Sequence, residues 1–173
     1  MKLLNPVEVT FTKEEIDHAV SFIDKLTKDK AKNKVYDAKF DKNNTSYSVN
    51  LMGYLGELAA AKVLKIKTDT EIRTHGDDGF DLKLDNKTIQ VKTSTLPELI
   101  FNRLNLFTAD IGMLVQFQGD RTRPHINSVY HVIGYIKKED FLKLYYTKNY
   151  GYGDRFVVGL SKLNSIEDLM PGV

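Results

Sequence analysis

The feature that most constrains the fold is a change of hydrophobic period near the middle of the chain. Before this point apolar residues recur at helical spacing, and from Phe80 onward they alternate with polar residues. The runs 80–84 and 88–93 both alternate, and Asp85-Asn86-Lys87 between them supplies turn chemistry. Two alternating runs across a short polar turn predict a β-hairpin. Helices ahead of a hairpin, with further strands behind it, predict a mixed α/β fold in which helices flank a sheet.

Composition limits the chain to a small set of protein classes. Its 173 residues are enough for one domain with a core and too few for two. The formal charge of +2, from 25 Lys+Arg and 23 Asp+Glu, excludes a strongly basic, histone-like protein but permits a local basic face. Cysteine is absent, which excludes a disulfide scaffold, a zinc ribbon and a cysteine nucleophile. Without a signal peptide or a membrane-length apolar run, we expect a cytoplasmic protein.

Two helices are predicted ahead of the hairpin. Thr12-Lys13-Glu14-Glu15 is a capping box, and the apolar spacing behind it predicts a helix over 13–29, followed by a polar connector. A second helix is predicted over 50–64, where Glu57 is surrounded by small residues, Gly53 and Gly56 among them. Because glycine inside a helix costs about 1 kcal/mol relative to alanine, these glycines need a reason. Close packing against a sheet and the approach of a ligand to Glu57 are both open explanations.

The residues after the hairpin predict a second half with short elements. Pro97 suits the first turn of a helix, capped by Ser94 or Thr95 and extending to about residue 107. The remaining pattern predicts a strand at 111–117, a loop at 119–128, a strand at 129–136, a helix at 138–145, a Tyr/Gly/Asn loop at 146–154, a strand at 156–160 and a helical turn from 165. We therefore divide the single domain 1–173 into an N-terminal helix and connector (1–46), a core (50–118) and a C-terminal extension (129–173).

Three polar side chains of the hairpin are predicted to lie close together. Gln90 and Lys92 are two residues apart and share a strand face, and the hairpin returns Asp81 beside them. If the Glu57 helix covers that face, both polar groups lie in a partly closed cleft. Each residue alone has an ordinary explanation, as a turn residue or as part of a solvent-facing strand. Together, however, Glu57 and Asp81 would need a cation, and an all-oxygen ligand set selects Mg²⁺ or Mn²⁺ over Zn²⁺.

At these residues the sequence resembles a known superfamily of nucleases. The segments are Gly56-Glu57-Leu58-Ala59-Ala60, Gly79-Phe80-Asp81-Leu82 and Gln90-Val91-Lys92-Thr93-Ser94. In order and spacing they resemble the PD-(D/E)xK phosphodiesterases, which include restriction-endonuclease-like and Holliday-junction-resolvase-like enzymes. The resemblance covers roughly 50–118 and implies an αβββαβ core. There are two departures: Phe80 stands where the pattern has Pro, and Gln90 where it has Asp or Glu.

The resemblance implies a Mg²⁺- or Mn²⁺-dependent endonuclease that hydrolyses DNA phosphodiester bonds. By this resemblance Glu57, Asp81, Gln90 and the Val91 carbonyl hold the metal, and Lys92 is the motif lysine, which would orient the attacking water and stabilise charge. A nuclease must also hold a polyanion, so we expect basic and hydroxyl side chains around the site. The candidates for nucleic-acid contact are Arg73, Thr93, Ser94, Arg103, Arg121 and Arg123.

Two other classes of function stay open at this point. One is a non-catalytic nucleic-acid-binding protein of the same fold, in which Gln90 marks decay of the site. The other is a structural or protein-interaction domain whose acids pair with lysines. Tyrosines near 145–152 offer a stacking surface for unpaired bases. Cutting of duplex DNA would favour a homodimer, and an origin in a phage or mobile element rests on analogy alone.

Overall fold

A computed structural model of the chain describes residues 3–32, 46–66 and 79–170, without the side chains of 30–32. Three α-helices and nine β-strands are assigned in these ranges. The helices are α1 (Lys13–Lys32), α2 (Ser46–Leu64) and α3 (Lys138–Leu144). The strands are β1 (Val7–Val9), β2 (Leu82–Leu84), β3 (Lys87–Ser94), β4 (Glu98–Phe101), β5 (Ile111–Gln118), β6 (Val129–Lys137), β7 (Tyr146–Asn149), β8 (Asp154–Gly159) and β9 (Asn164–Ser165).

The strands form two sheets, so the mixed α/β class predicted from the sequence is confirmed. The larger sheet has the order β1-β6-β5-β3-β2, and β9 also pairs with β6. Within it β3 and β5 are parallel, while the other pairs are antiparallel. The smaller sheet has the order β4-β8-β7 and is antiparallel throughout. The predicted hairpin is present as β2 and β3, with Leu82 opposite Ile89.

The larger sheet lies between two apolar layers. Helices α1 and α2 pack on one face, over alternate residues of β3 and β5 such as Ile89, Val91 and Met113. The smaller sheet and α3 pack on the other face, where Phe101, Leu114 and other residues form a second buried cluster. Alternate residues of one strand point to opposite faces of a sheet. Strand β3 therefore presents Ile89, Val91 and Thr93 to the helices and Gln90 and Lys92 to the smaller sheet.

The N-terminal prediction is confirmed down to its capping interactions. The Thr12 amide donates to the Glu15 carboxylate at 3.1 Å, and the Glu15 amide donates to the Thr12 hydroxyl at 3.2 Å. These reciprocal bonds satisfy two of the amides that a helix start leaves without partners. Helix α2 begins four residues earlier than predicted and ends at the predicted residue. None of the helices within the described ranges is long and apolar enough to span a bilayer.

Two predictions about the second half are wrong. Residues 97–107 do not form a helix but strand β4 followed by a 3-10 turn over Leu104–Leu106. The segment 146–154 is not a loop but the hairpin of β7 and β8. Both errors have one cause, since β4 is stabilised by pairing with β8, more than fifty residues later. Local patterns carry little information about such a distant partner. As a consequence, the chain crosses from β3 to parallel β5 without an α-helix, so the helix that the expected αβββαβ core has at this point is not formed.

Candidate active site

Helix α2 packs tightly against β3 at Gly56. A Cβ atom built on Gly56 would lie 1.8 Å from the Thr93 hydroxyl oxygen. Glycine is therefore required here by close packing, which is the first of the two explanations that the sequence left open. Gly53, one turn earlier, has nothing within 4 Å of such a Cβ atom. The next residue after Gly56 is Glu57, half-buried on this helix, so its backbone lies close to the far end of β3.

Asp81 is held against the middle of β3. Its amide donates to the Ile89 carbonyl at 2.8 Å, and one of its carboxylate oxygens accepts the Val91 amide at 2.7 Å. The carboxylate thus takes the place of a strand carbonyl one residue before β2 begins. The hairpin therefore sets the position of Asp81 by backbone hydrogen bonds, as the sequence predicted from its turn.

The edge of β3 beyond Val91 carries backbone groups that β2 does not reach. β2 pairs with β3 only from Lys87 to Ile89. In an extended strand the N–H and C=O of one residue point to the same side. Because the Val91 amide meets Asp81, the Val91 carbonyl points to this same edge. A carboxylate and a backbone carbonyl thus lie side by side where the neighbouring strand has ended.

Lys92 lies next along the strand and faces the smaller sheet. Its Nζ is 4.9 Å from the centroid of the Phe101 ring, which is itself stacked on Phe107 with centroids 4.3 Å apart. The negative face of an aromatic ring attracts a cation. Among the described residues no carboxylate pairs with this ammonium group. The lysine is half-buried and is positioned by an aromatic floor.

Gln90 is fully engaged by the backbone of the crossover. Its Oε1 accepts the amides of Thr108 at 2.8 Å and Ala109 at 3.1 Å, and its Nε2 donates to the Leu106 carbonyl at 2.8 Å. An amide oxygen has two lone pairs, and both are used here. Coordination of a metal by Oε1 would require these bonds to break. In this geometry Gln90 positions the segment that follows β4.

The expected cleft between Glu57 and the polar face of β3 is not formed as predicted. Helix α2 covers the opposite face, where Thr93 meets Gly56. The face of Gln90 and Lys92 is covered instead by β4 and the 3-10 turn, as the contacts to Phe101 and Leu106 establish. Glu57 thus belongs to the helical layer and Lys92 to the other. A site that uses both would therefore have to lie at the edge of β3, between the two layers.

The predicted nucleic-acid contacts are dispersed. Ser94 Oγ accepts the Leu96 amide at 3.0 Å, and the buried Thr93 hydroxyl oxygen points at α2, so neither is displayed for a ligand. Arg103 is exposed after β4. Arg121 and Arg123 are exposed in the β5–β6 loop, where Arg123 pairs with Asp120 at 3.4 Å. Arg73 lies outside the described residues.

Sequence reasoning missed two polar clusters. Asp110 accepts the Thr88 amide at 2.9 Å and the Thr88 hydroxyl at 3.1 Å. These two bonds lower the pKa of the Asp110 carboxyl. On β4 the Glu98 carboxylate accepts Lys148 Nζ at 2.7 Å and the Tyr150 hydroxyl. Burial raises the pKa of the Glu98 carboxyl, but these bonds outweigh burial and leave it lowered. No local pattern could have found either cluster, because the partners are 22 or more residues apart.

The Glu98 cluster also uses part of the predicted stacking surface. Tyr150 is bound to the carboxylate and Lys148 lies over its ring, with Nζ 5.0 Å from the centroid. Tyr146 and Tyr152 remain 46% and 42% exposed. The tyrosines are therefore arranged on a hairpin rather than on an irregular loop.

The described ranges contain no cluster of three or more His, Cys, Asp or Glu that could hold a metal ion. A metal site made of Glu57, Asp81 and a backbone carbonyl would contain only two such side chains. Comparison with known protein families gives no match, and comparisons with curated proteins and with solved structures give none either.

Proposed function

We propose that this chain is a metal-dependent endonuclease that hydrolyses DNA phosphodiester bonds at the edge of β3. The observation that carries the proposal is the position of the Asp81 carboxylate against Val91, next to Lys92 and at the strand end where α2 packs. An acid, a carbonyl and a lysine at a strand edge, with a second acid on the adjoining helix, are the parts of the PD-(D/E)xK pattern that the sequence resembles.

The donor set fits a hard divalent cation. Asp81, Glu57 and the Val91 carbonyl would provide oxygen ligands, which Mg²⁺ and Mn²⁺ prefer. Mg²⁺ commonly keeps several waters and takes only one or two protein carboxylates. Loss of Gln90 as a ligand therefore does not exclude such a site. A cation bound there would supply Lewis-acid stabilisation of the charge that develops on the phosphate.

Lys92 would act through its charge and position. Its ammonium group is held by the Phe101 ring on one side and has no carboxylate partner among the described residues. A cation held beside a phosphate stabilises the transition state because negative charge increases there during attack. Its hydrogen-bond donors would also orient the attacking water.

One observation favours a second function, a non-catalytic nucleic-acid-binding protein. Gln90, at the third position of the resembled motif, makes three hydrogen bonds within the fold. A site in which Gln90 is a structural residue instead of a ligand would bind a metal ion more weakly. The two functions differ in one measurable property, which is cleavage.

The test is a nuclease assay on supercoiled, linear, single-stranded, flapped and four-way DNA with Mg²⁺ or Mn²⁺. We expect cleavage that EDTA abolishes, and a loss of about 100-fold or more in Lys92→Ala and Asp81→Asn. Lys83→Ala removes an exposed lysine of the neighbouring strand and should retain full activity. DNA binding by the Lys92→Ala protein should persist.

The assay separates the two functions. DNA binding without cleavage in any of these substrates would replace the nuclease by the non-catalytic protein. Full activity of Lys92→Ala would remove the lysine from the mechanism. Equal losses in Lys83→Ala and Lys92→Ala would contradict a specific role for the strand edge.

A further inference from the structure

A second feature of the larger sheet lies at the opposite end of β3. An open cleft of about 590 Å³ is formed where the β2–β3 turn meets the start of β5 and the junction of β6 and α3. This volume is within the range of sites that hold small molecules or part of a larger ligand. None of the residues proposed for catalysis lines it.

The cleft is rich in lysine. Lys87 comes from the start of β3, and Lys137 and Lys138 come from the β6–α3 junction. In the described part of the chain none of the three forms an ion pair. Lys87 and Lys138 act on Asp110 only through space, so an external anion can approach all three ammonium groups.

The acidic lining does not cancel this arrangement. Asp110 and Glu139 also line the cleft, so the three lysines and two acids give its lining a formal net charge of +1. The Asp110 carboxylate is directed to the start of β3, where it accepts both the amide and the hydroxyl of Thr88. Lys138 and Lys87 also lower the pKa of the Asp110 carboxyl through their charges, so two of the cleft lysines share this carboxylate with Thr88.

The cleft and the candidate active site share strand β3, on which Lys87 has the parity of the residues that face the helices and Lys92 lies on the other face. Lys87 and Lys92 are five residues apart on β3, which corresponds to roughly 17 Å of extended chain. One DNA strand covers this distance with about five nucleotides. Phe141 of α3 belongs to the cluster that packs under the smaller sheet, on the same side as Lys92.

We infer that the cleft of Lys87, Lys137 and Lys138 binds backbone phosphates of a nucleic acid whose scissile bond lies at Lys92. This inference rests on the proposed function. Lysines act as mobile point charges, which suits contact with successive phosphates of a polyanion and gives affinity without base specificity. The same chemistry would accept phosphate groups of a free nucleotide, and the experiment distinguishes the two sources.

The experiment compares two triple variants with the same change of net charge. One is Lys87→Gln, Lys137→Gln and Lys138→Gln; the control is Lys13→Gln, Lys28→Gln and Lys162→Gln, at exposed positions outside the cleft. Binding of a labelled DNA duplex is measured in EDTA between about 50 and 200 mM salt, where each phosphate contact contributes a slope of about 0.9 to log K against log salt. The cleft variant should lose about two to three units of slope, and the control less than one.

Each outcome either supports or overturns the inference that the cleft binds DNA phosphates. Equal slopes in the two triple variants would overturn the inference, as would an absence of DNA binding. Binding of AMP or inorganic phosphate that only the cleft variant loses, with an unchanged DNA slope, would assign the cleft to a small anion and also overturn it. A loss of slope without any metal-dependent cleavage supports the phosphate cleft and removes the nuclease. Cleavage that depends on Lys92, with a slope that the cleft variant leaves unchanged, supports the nuclease and overturns the phosphate cleft.

Discussion

The two faces of β3 are built by different means. The face toward the helices is largely apolar, and Gly56 lies so close to Thr93 that no side chain fits between helix and strand. The face toward the smaller sheet is polar, and its side chains hold the crossover: Thr88 binds Asp110, and Gln90 binds the backbone from Leu106 to Ala109. Thus one face is fixed by packing and the other by hydrogen bonds.

This difference bears on the candidate site. The side chains at alternate positions of one strand have separate surroundings, since Gln90 is hydrogen-bonded to the crossover and Lys92 lies over the Phe101 ring. The acids come from outside β3, Asp81 across the hairpin and Glu57 from the helical layer. A site at the strand edge can take groups from both layers, which a site on one face cannot.

The largest effect on the packed face is expected from Gly56→Ala. The new methyl would overlap the Thr93 side chain, and overpacking of this kind costs about 1–3 kcal/mol. Gly53→Ala is the matched control on the same helix, where the open surroundings should allow a gain of about 0.5–1 kcal/mol. Urea unfolding measures both. Equal stability of the two variants would contradict the close approach of α2 to β3.

The hydrogen-bonded face should respond to Gln90→Ala. This change removes one donor and one acceptor and leaves the amides of Thr108 and Ala109 without their partner, so we expect a loss of about 1–2 kcal/mol. Gln90→Glu keeps the acceptor for Thr108 and Ala109 but sets a carboxylate oxygen against the Leu106 carbonyl. It should therefore also be destabilised at neutral pH, and it should recover stability at acid pH, where the protonated carboxyl can donate to that carbonyl. If Gln90→Ala unfolds at the same urea concentration as the natural chain, the crossover is not held by this residue.

The smallest effect is expected from Asp110→Ala, and it should depend on pH. The bonds from Thr88 lower the pKa of the Asp110 carboxyl in the folded chain. Its contribution to stability is therefore complete above the unfolded pKa of about 3.9 and is lost as the pH falls through the lower folded value. Thermal unfolding of both chains between neutral and strongly acid pH checks this. A stability difference that grows as the pH falls would reverse the sign and refute the assignment.

Local signals predicted the first half of the fold well. The capping box at Thr12 and the helical spacing behind it located α1, and the alternation on both sides of Asp85 located the hairpin. Both depend on residues within a few positions of one another. The same reasoning failed for β4, because Pro97 is equally compatible with the start of a helix and with an extended segment, and the alternation of Leu99 and Phe101 is too short to decide.

For the candidate site, sequence predicted the side chains better than their surroundings. Alternation correctly assigned Gln90 and Lys92 to one face of β3, and the turn correctly returned Asp81 to that strand. What covers this face was predicted wrongly, because β4 is stabilised by β8, which lies far along the chain. The hydrogen bonds of Gln90 could not be predicted for the same reason.

By itself, the sequence determined the period of each element, the turn that folds β2 onto β3 and the order in which the acids and the lysine occur. These are properties of neighbouring residues, because backbone geometry fixes where a side chain points within a few positions. Only the tertiary structure decided which layer lies on each face of β3, that Gly56 is a packing contact and that Gln90 is a structural clamp. Those outcomes depend on contacts between distant segments, which are chosen by the burial of apolar surface across the whole domain.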